Sequence, residues 1–249
     1  MPAEDVYVYA ITRAGVTLPA DRGGVGRPPA RLRTLARGRV AAVVSDAPPD
    51  LRARRRDLLA HQDLLMRLMD DGPVLPMRFG TVAPGPDAVL RQLVTGEAAH
   101  LSALGRLDGC HEINVKALAA EDRLADVVAE DGTVRRLREA VRRRPDYEAS
   151  LRLGEAVAAA LARRAAEAGR RVLRELTPRA REVAAGPEVQ GCALNVSFLV
   201  ERGDSAAFLA EAHRFASDLR GRANLRLAGP LPCYSFVGAE DRAAPVGGG

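Results

Sequence analysis

From about Ala119 to Ala185 the chain reads as nearly continuous helix, and a strand-like run stands at each end of it, Ile113 to Ala117 before and Cys192 to Val200 after. A further helix and strand follow. The resulting order, strand, helices, strand, helix, strand, suits an antiparallel sheet with helices on one side, a ferredoxin-like unit that carries a helical insertion. No other feature restricts the fold as much.

Three interruptions divide the helical stretch, at Asp131-Gly132, Pro145-Asp146 and Thr177-Pro178, where threonine can cap a new turn with proline at its first position. The stretch therefore reads as a helical hairpin. Along its second arm, Leu151, Gly154, Ala158, Leu161, Ala165, Ala168, Val172 and Leu176 follow a 3/4 spacing of mostly small residues, which permits close helix contact. At 1.5 Å per residue this arm is roughly 45 Å long. In the run after it, Cys192, Leu194, Val196, Phe198 and Val200 alternate with Ala193, Asn195 and Ser197, the pattern of a strand with one covered face. Asp204 or Ser205 then caps a helix bearing Phe208, Ala212, Phe215 and Leu219 on one stripe and stopped at Gly221, before a last strand from Asn224 to Ala228.

The first half has a different rhythm. Val6 to Ile11 is apolar on both faces and rich in β-branched and aromatic residues, as a central strand is. The segment from Arg13 to Pro29 reads as a loop, and a second strand spans about Arg39 to Ser45. Pro48-Pro49-Asp50 opens a helix with Leu51, Leu58, Leu65 and Leu68 at helical spacing, stopped by Gly72-Pro73. In Val74 to Val82, Pro76 cannot donate to a ladder, which points to an edge strand or a bulge. Another helix starts at Pro84 to Asp87, with Leu90, Leu93, Leu101 and Leu104 on its stripe and Gly105 and Gly109 at its end. A chain of 249 residues has room for two domains. The expected division is an α+β domain at 1–109 and the ferredoxin-like domain at 110–238, with its helical insertion at about 119–187 and a frayed tail at 239–249.

Composition narrows the function. With 47% apolar and 28% charged residues the chain can bury a core and is not disordered. No apolar run reaches the roughly 18 residues of a membrane span, and the first residues lack the pattern of a signal peptide, so a cytoplasmic location is expected. Three widely spaced cysteines, Cys110, Cys192 and Cys233, give neither a disulfide framework nor a zinc knuckle and are expected as reduced thiols. Of 37 basic residues only Lys116 is lysine, and the 36 arginines accompany 45 alanines, as a GC-rich codon supply produces. Residues 130–185 hold 14 Arg against 9 Asp plus Glu, which accounts for the whole net charge of +5.

Catalytic motifs are missing from the sequence. It contains no phosphate-binding G-x-x-x-x-G-K-[ST], its Gly23-Gly24-Val25-Gly26 is not set between strand and helix, His111-Glu112 lacks a second histidine at zinc-protease spacing, and no G-x-S-x-G elbow occurs. His61 falls on the inward stripe of its helix, where a buried histidine bonded to a neighbouring carbonyl is the reading preferred to a catalytic imidazole. Asp70-Asp71 reads as a helix end rather than a cation site. The arginines at 135–144 are the basis of an alternative function, a nucleic-acid-binding module, but stacking aromatics are scarce: only Tyr147 is near and the chain has no Trp. A solvated helix face is preferred there. Arg78-Phe79 is read evenly as a partner anchor and as a locally paired arginine over a packed ring. No cofactor or metal is expected.

Three stretches in this order resemble the gas vesicle protein F/L family: His61 with Val74-Leu-Pro-Met-Arg-Phe-Gly-Thr-Val82, Leu194-Asn-Val-Ser-Phe-Leu-Val-Glu-Arg202, and Gly229-Pro-Leu-Pro-Cys-Tyr-Ser-Phe-Val237. The likeness spans about residues 5 to 238; one departure is Cys233, where the family usually has a second proline. The resemblance implies a two-domain α+β protein with a ferredoxin-like C-terminal domain, acting as a minor component of the gas vesicle or an accessory to its assembly, with no catalytic residues. It implies as partner the small, strongly apolar major shell protein (GvpA-like), together with other gas vesicle proteins; from the residues themselves no membrane partner is expected, and nucleic acid is the less favoured alternative. Pro76, Arg78 and Phe79, with Tyr234 and Phe236 of the closing motif, are the candidate partner-binding residues, and the small-residue seam of the hairpin is a second candidate surface.

Overall fold

The run from Val6 to Ile11 becomes the centre of an antiparallel sheet because both of its faces are apolar enough to be enclosed. The computed structural model describes residues 5–238; the tail expected at 239–249 lies outside them. Strand β1 (Val6–Arg13) pairs with β3 (Val40–Asp46) on one side, and with β4 (Val74–Pro76) and β5 (Val82–Ala83) on the other. Its pairing with β3 slips between Val8 and Ala10, a bulge that falls at Tyr9. Outside β3 lies β2 (Arg33–Arg37), giving the order β2-β3-β1-β4. Helices α1 (Arg55–Asp71) and α2 (Pro86–Leu107) pack on this sheet.

Helix α1 starts at its cap Arg54 rather than at Pro48 to Asp50. Its buried stripe is centred on Asp57, His61, Leu64 and Leu68, so Leu58 falls at the margin and is 41% exposed. Asp57 takes an inward position because its carboxylate accepts the Gly26 N–H at 3.1 Å, which ties the loop before β2 to this helix.

In the second unit β6 (Cys110–Ala119) leads into α3 (Leu124–Glu130), α4 (Gly132–Arg143) and the 30-residue α5 (Tyr147–Leu176). Then come β7 (Glu182–Ala185), β8 (Cys192–Glu201), α6 (Ser205–Asp218) and β9 (Ala223–Leu231). The sheet order β7-β8-β6-β9 is that of a ferredoxin-like chain, with α3 and α4 as the insertion. Its core sets Ile113, Val115, Val196, Phe198 and Val200 of the sheet against Val172 and Leu176 of α5 and Phe208 and Phe215 of α6. A smaller cluster, Val127, Val134, Ala160 and Leu161, fastens α3 and α4 to α5. Asp131 caps α4 by accepting the N–H groups of Thr133 and Val134, and those bonds, Val134 foremost, hold its carboxyl below the usual carboxylate range.

Three details differ from the sequence reading. The helical stretch expected to about 187 ends at Leu176, and its last helix, α5, belongs to the ferredoxin-like unit itself; β7 follows a short turn at Thr177–Arg179 and is held extended by pairing with β8. Both faces of β8 are buried from Val196 to Val200, including Ser197 and Leu199, where only one covered face was expected. There the Asn114 amide reaches Asn195 Oδ1, Val196 O and Ser197 Oγ, each at 3.1 Å. The third is the domain division. Contacts separate one unit, up to Glu112 and again from Pro230, from a second unit at Ile113–Gly229, so the closing segment leaves the ferredoxin-like unit to which 110–238 assigned it. The reason is polar: the Glu112 carboxylate accepts both the N–H and the O–H of Ser235 at 2.7 Å, and Arg106 donates to Phe236 O at 2.7 Å.

Candidate partner-binding surfaces

Between β4 and β5 the regular pairing of the sheet edge with β1 is interrupted over Met77 to Thr81, a bulge that carries Arg78 and Phe79. It is pinned from beneath by β1 and α1. His61 Nε2 lies 3.0 Å from Met77 O, and since a carbonyl only accepts, Nε2 carries the proton and Nδ1 must accept. The donor is Tyr7, whose hydroxyl lies 3.0 Å from Nδ1 and itself accepts the Gly80 N–H at 3.1 Å. Burial lowers the His61 pKa, consistent with a neutral ring, and pushes the Tyr7 phenol well above its ordinary value. With both nitrogens satisfied, His61 is a structural group. Tyr9 continues the network: its hydroxyl accepts the Val25 N–H at 2.8 Å and lies 3.0 Å from Ser45 Oγ. The rings of Tyr7, Tyr9, His61 and Phe79 pack with centroids 4.7 to 6.0 Å apart.

This scaffold leaves Arg78 exposed and Phe79 half-buried. Pro76 lies on the edge strand, as its missing donor requires, but its side chain is buried and offers no free surface. Nor does Phe236, which is 6% exposed. Tyr234 is half-buried, its phenol pushed up to about 12 by burial and by the nearby Glu112 carboxylate. Of the five candidate residues, then, Arg78 and Phe79 remain together as a surface, Tyr234 is partly accessible, and Pro76 and Phe236 serve the interior. The supporting residues Tyr7, Tyr9 and Asp57 were not singled out from the sequence; two tyrosines on alternate positions of a central strand, in a chain 4% aromatic, were the available signal.

The hairpin seam divides in two. Leu161, Ala165, Ala168, Val172 and Leu176 are buried, whereas Leu151, Gly154 and Ala158 are exposed. The seam continues back to Tyr147, which is 84% exposed. Beside the open half runs a groove of about 640 Å³, walled by Leu124, Val157, Leu161 and Ala162 and by Cys192 and Ala193 of β8. Sequence spacing showed the seam but not Leu124, which α3 brings to it.

The arginines of α4 are exposed, and among the described residues no group of three or more His, Cys, Asp or Glu side chains could hold a metal ion. Among the described residues no helix is long and apolar enough to cross a membrane.

The family described as gas vesicle synthesis protein GvpL/GvpF matches residues 5–238. The chain belongs to this family. It is 44% identical to gas vesicle protein F of Streptomyces sp. (strain CB03234), over 93% of this chain and 98% of that one. It is 33% identical to gas vesicle protein L of the same strain, over 94% and 93%. Crystal structures of GvpF from Microcystis aeruginosa and from Anabaena sp. PCC7120 share the fold, with TM-scores of 0.73 and 0.74 at 20% and 21% identity. Each covers 94% of this chain, and this chain covers 99% and 98% of them. Membership in GvpL/GvpF gives the chain an accessory role in the gas vesicle and associates it with that structure and its proteins. The family is one of structural and accessory components, with no enzymatic activity known for it.

Proposed function

We propose that this GvpL/GvpF member binds the apolar major shell protein of the gas vesicle (GvpA-like), keeps it from aggregating before it joins the wall, and so assists nucleation and assembly. The observation that carries the reading is the uncovered half of the α5 seam. From Tyr147 to Ala158 an apolar stripe, large at Tyr147 and Leu151 and small at Gly154 and Ala158, stands in solvent for about 17 Å, at 1.5 Å per residue. Glycine and alanine at Gly154 and Ala158 let a second helix approach closely, and Leu124 and Leu151 supply apolar contact on its flanks. An apolar shell subunit laid there would remove from water a surface that monomeric proteins seldom leave open. Arg78 and the edge of Phe79 form a second, smaller contact on the first unit.

Co-expression with the shell protein, followed by pull-down and a sedimentation assay, tests this. The native chain should keep the shell protein in the supernatant, and Gly154→Arg with Ala158→Arg should abolish the effect without lowering the melting temperature, since both positions are exposed. Retained association in that variant would move the contact elsewhere. No association by the native chain would end the reading.

A further inference from the structure

Away from that groove, Arg170, Arg171 and Arg174 of α5 and Arg222 from the turn between α6 and β9 line a hollow of about 470 Å³. One carboxylate shares it, Glu167, whose Oε2 lies 3.9 Å from Arg222. Arg171 lies over the ring of Phe215, 5.7 Å from its centroid, and Arg174 pairs with the exposed Glu175 at 3.7 Å. Arg170 meets no carboxylate among the described residues. An adjoining hollow shares Glu167, Arg170 and Arg222 with this one and adds two acids, Glu130 and Asp131. There Asp131 and Glu130 hold Arg163 and Arg164 at 2.7 and 2.6 Å, so the fold supplies its own acids. Arg170 has no such partner, and the four guanidinium groups of the first hollow meet two carboxylates, Glu167 and Glu175.

We propose that this hollow is a docking site for an extended, acidic segment of a partner protein, with Asp or Glu at alternate positions. Arg170 and Arg174 stand one turn apart, about 6 Å along the helix axis. Side chains two positions apart on one face of an extended chain are separated by about 6.7 Å, so successive carboxylates of such a segment meet successive arginines. Guanidinium forks match carboxylates two bonds at a time. Glu167 decides between a polypeptide and a nucleic acid. A peptide brings backbone N–H donors that this carboxylate can accept, whereas a phosphodiester backbone brings no backbone donor and is repelled. Among the described residues that line the hollow none is aromatic, and Phe215, beneath Arg171, is only 7% exposed, so bases have no stacking platform there.

Fluorescence anisotropy with a short labelled peptide of alternating glutamate and alanine tests the site. The native chain should bind it at low salt, with binding that weakens as salt is raised. Arg170→Ala with Arg222→Ala should weaken it about tenfold, two exposed pairs of ordinary strength. Arg138→Ala with Arg142→Ala, equally exposed on α4, should change it little. A melting curve of each variant separates lost binding from lost folding, and Glu167→Gln, which keeps the fold and an acceptor, should raise affinity for a single-stranded oligonucleotide more than for the peptide. Absence of peptide binding, tighter binding of the oligonucleotide than of the peptide by the native chain, or equal losses in the two arginine pairs would overturn the proposal. These readouts are independent of the shell-protein assay.

Discussion

Tyr7→Phe removes one oxygen atom from the floor beneath the Arg78 bulge, and the structure says what that oxygen does. It donates to His61 Nδ1 at 3.0 Å and accepts the Gly80 N–H at 3.1 Å. His61 cannot repair the loss by changing tautomer, because Nε2 would then present a lone pair to Met77 O. Nδ1 is left as a buried acceptor without a donor, at about 1–3 kcal/mol, while the Gly80 N–H, near solvent, recovers most of its loss from water. A total of about 2 kcal/mol corresponds to a fall in Tm of about 4–8 °C for a chain of this size. Urea denaturation followed by circular dichroism measures it. The mechanism also requires that the cost shrink in a His61→Leu background, where no imidazole nitrogen remains to be orphaned. A coupling energy below about 0.5 kcal/mol in that double-mutant cycle would refute the reasoning.

His61 also makes stability depend on pH. Its folded pKa is lowered by burial, so the unfolded chain takes up the proton first. Its contribution is therefore complete above the unfolded value of about 6.5 and is lost as pH falls from there towards the folded pKa, with a slope of up to about 1.4 kcal/mol per pH unit. Melting temperatures of the native chain and His61→Leu between about pH 7 and pH 5 should converge, and parallel curves would contradict the assignment. Gly24→Ala should destabilise by about 1–3 kcal/mol, because the added Cβ would collide with the Tyr9 hydroxyl, which is fixed between Val25 N–H and Ser45 Oγ. A urea midpoint unchanged by this substitution would show that the loop yields freely.

The elements legible in the sequence were those whose own residues are buried in a regular rhythm. Phe208, Ala212, Phe215 and Leu219 are all enclosed, as their spacing predicts, and Val6 to Ile11 is the central strand that its apolar faces require. The two strands that were missed, β2 and β7, lie at sheet edges, and neither holds a wholly buried residue. Arg33–Arg37 and Glu182–Ala185 are extended because β3 and β8 offer them hydrogen bonds, and no intrinsic pattern records a neighbour's free donors and acceptors.

The candidate surfaces divide in the same way. The sequence alone determined the seam on α5, the sheet edge implied by Pro76 and the basic excess of 130–185, because spacing, a missing N–H and charge are properties of the chain itself. Only the tertiary structure decided that the seam is core from Leu161 onward and open before it, that Phe236 is interior while Arg78 is exposed, and that Arg170 has no acid while Arg163 does. Burial and pairing are relations between residues far apart in sequence, here Tyr7 with His61 and Glu112 with Ser235, and they exist only once the chain has closed on itself.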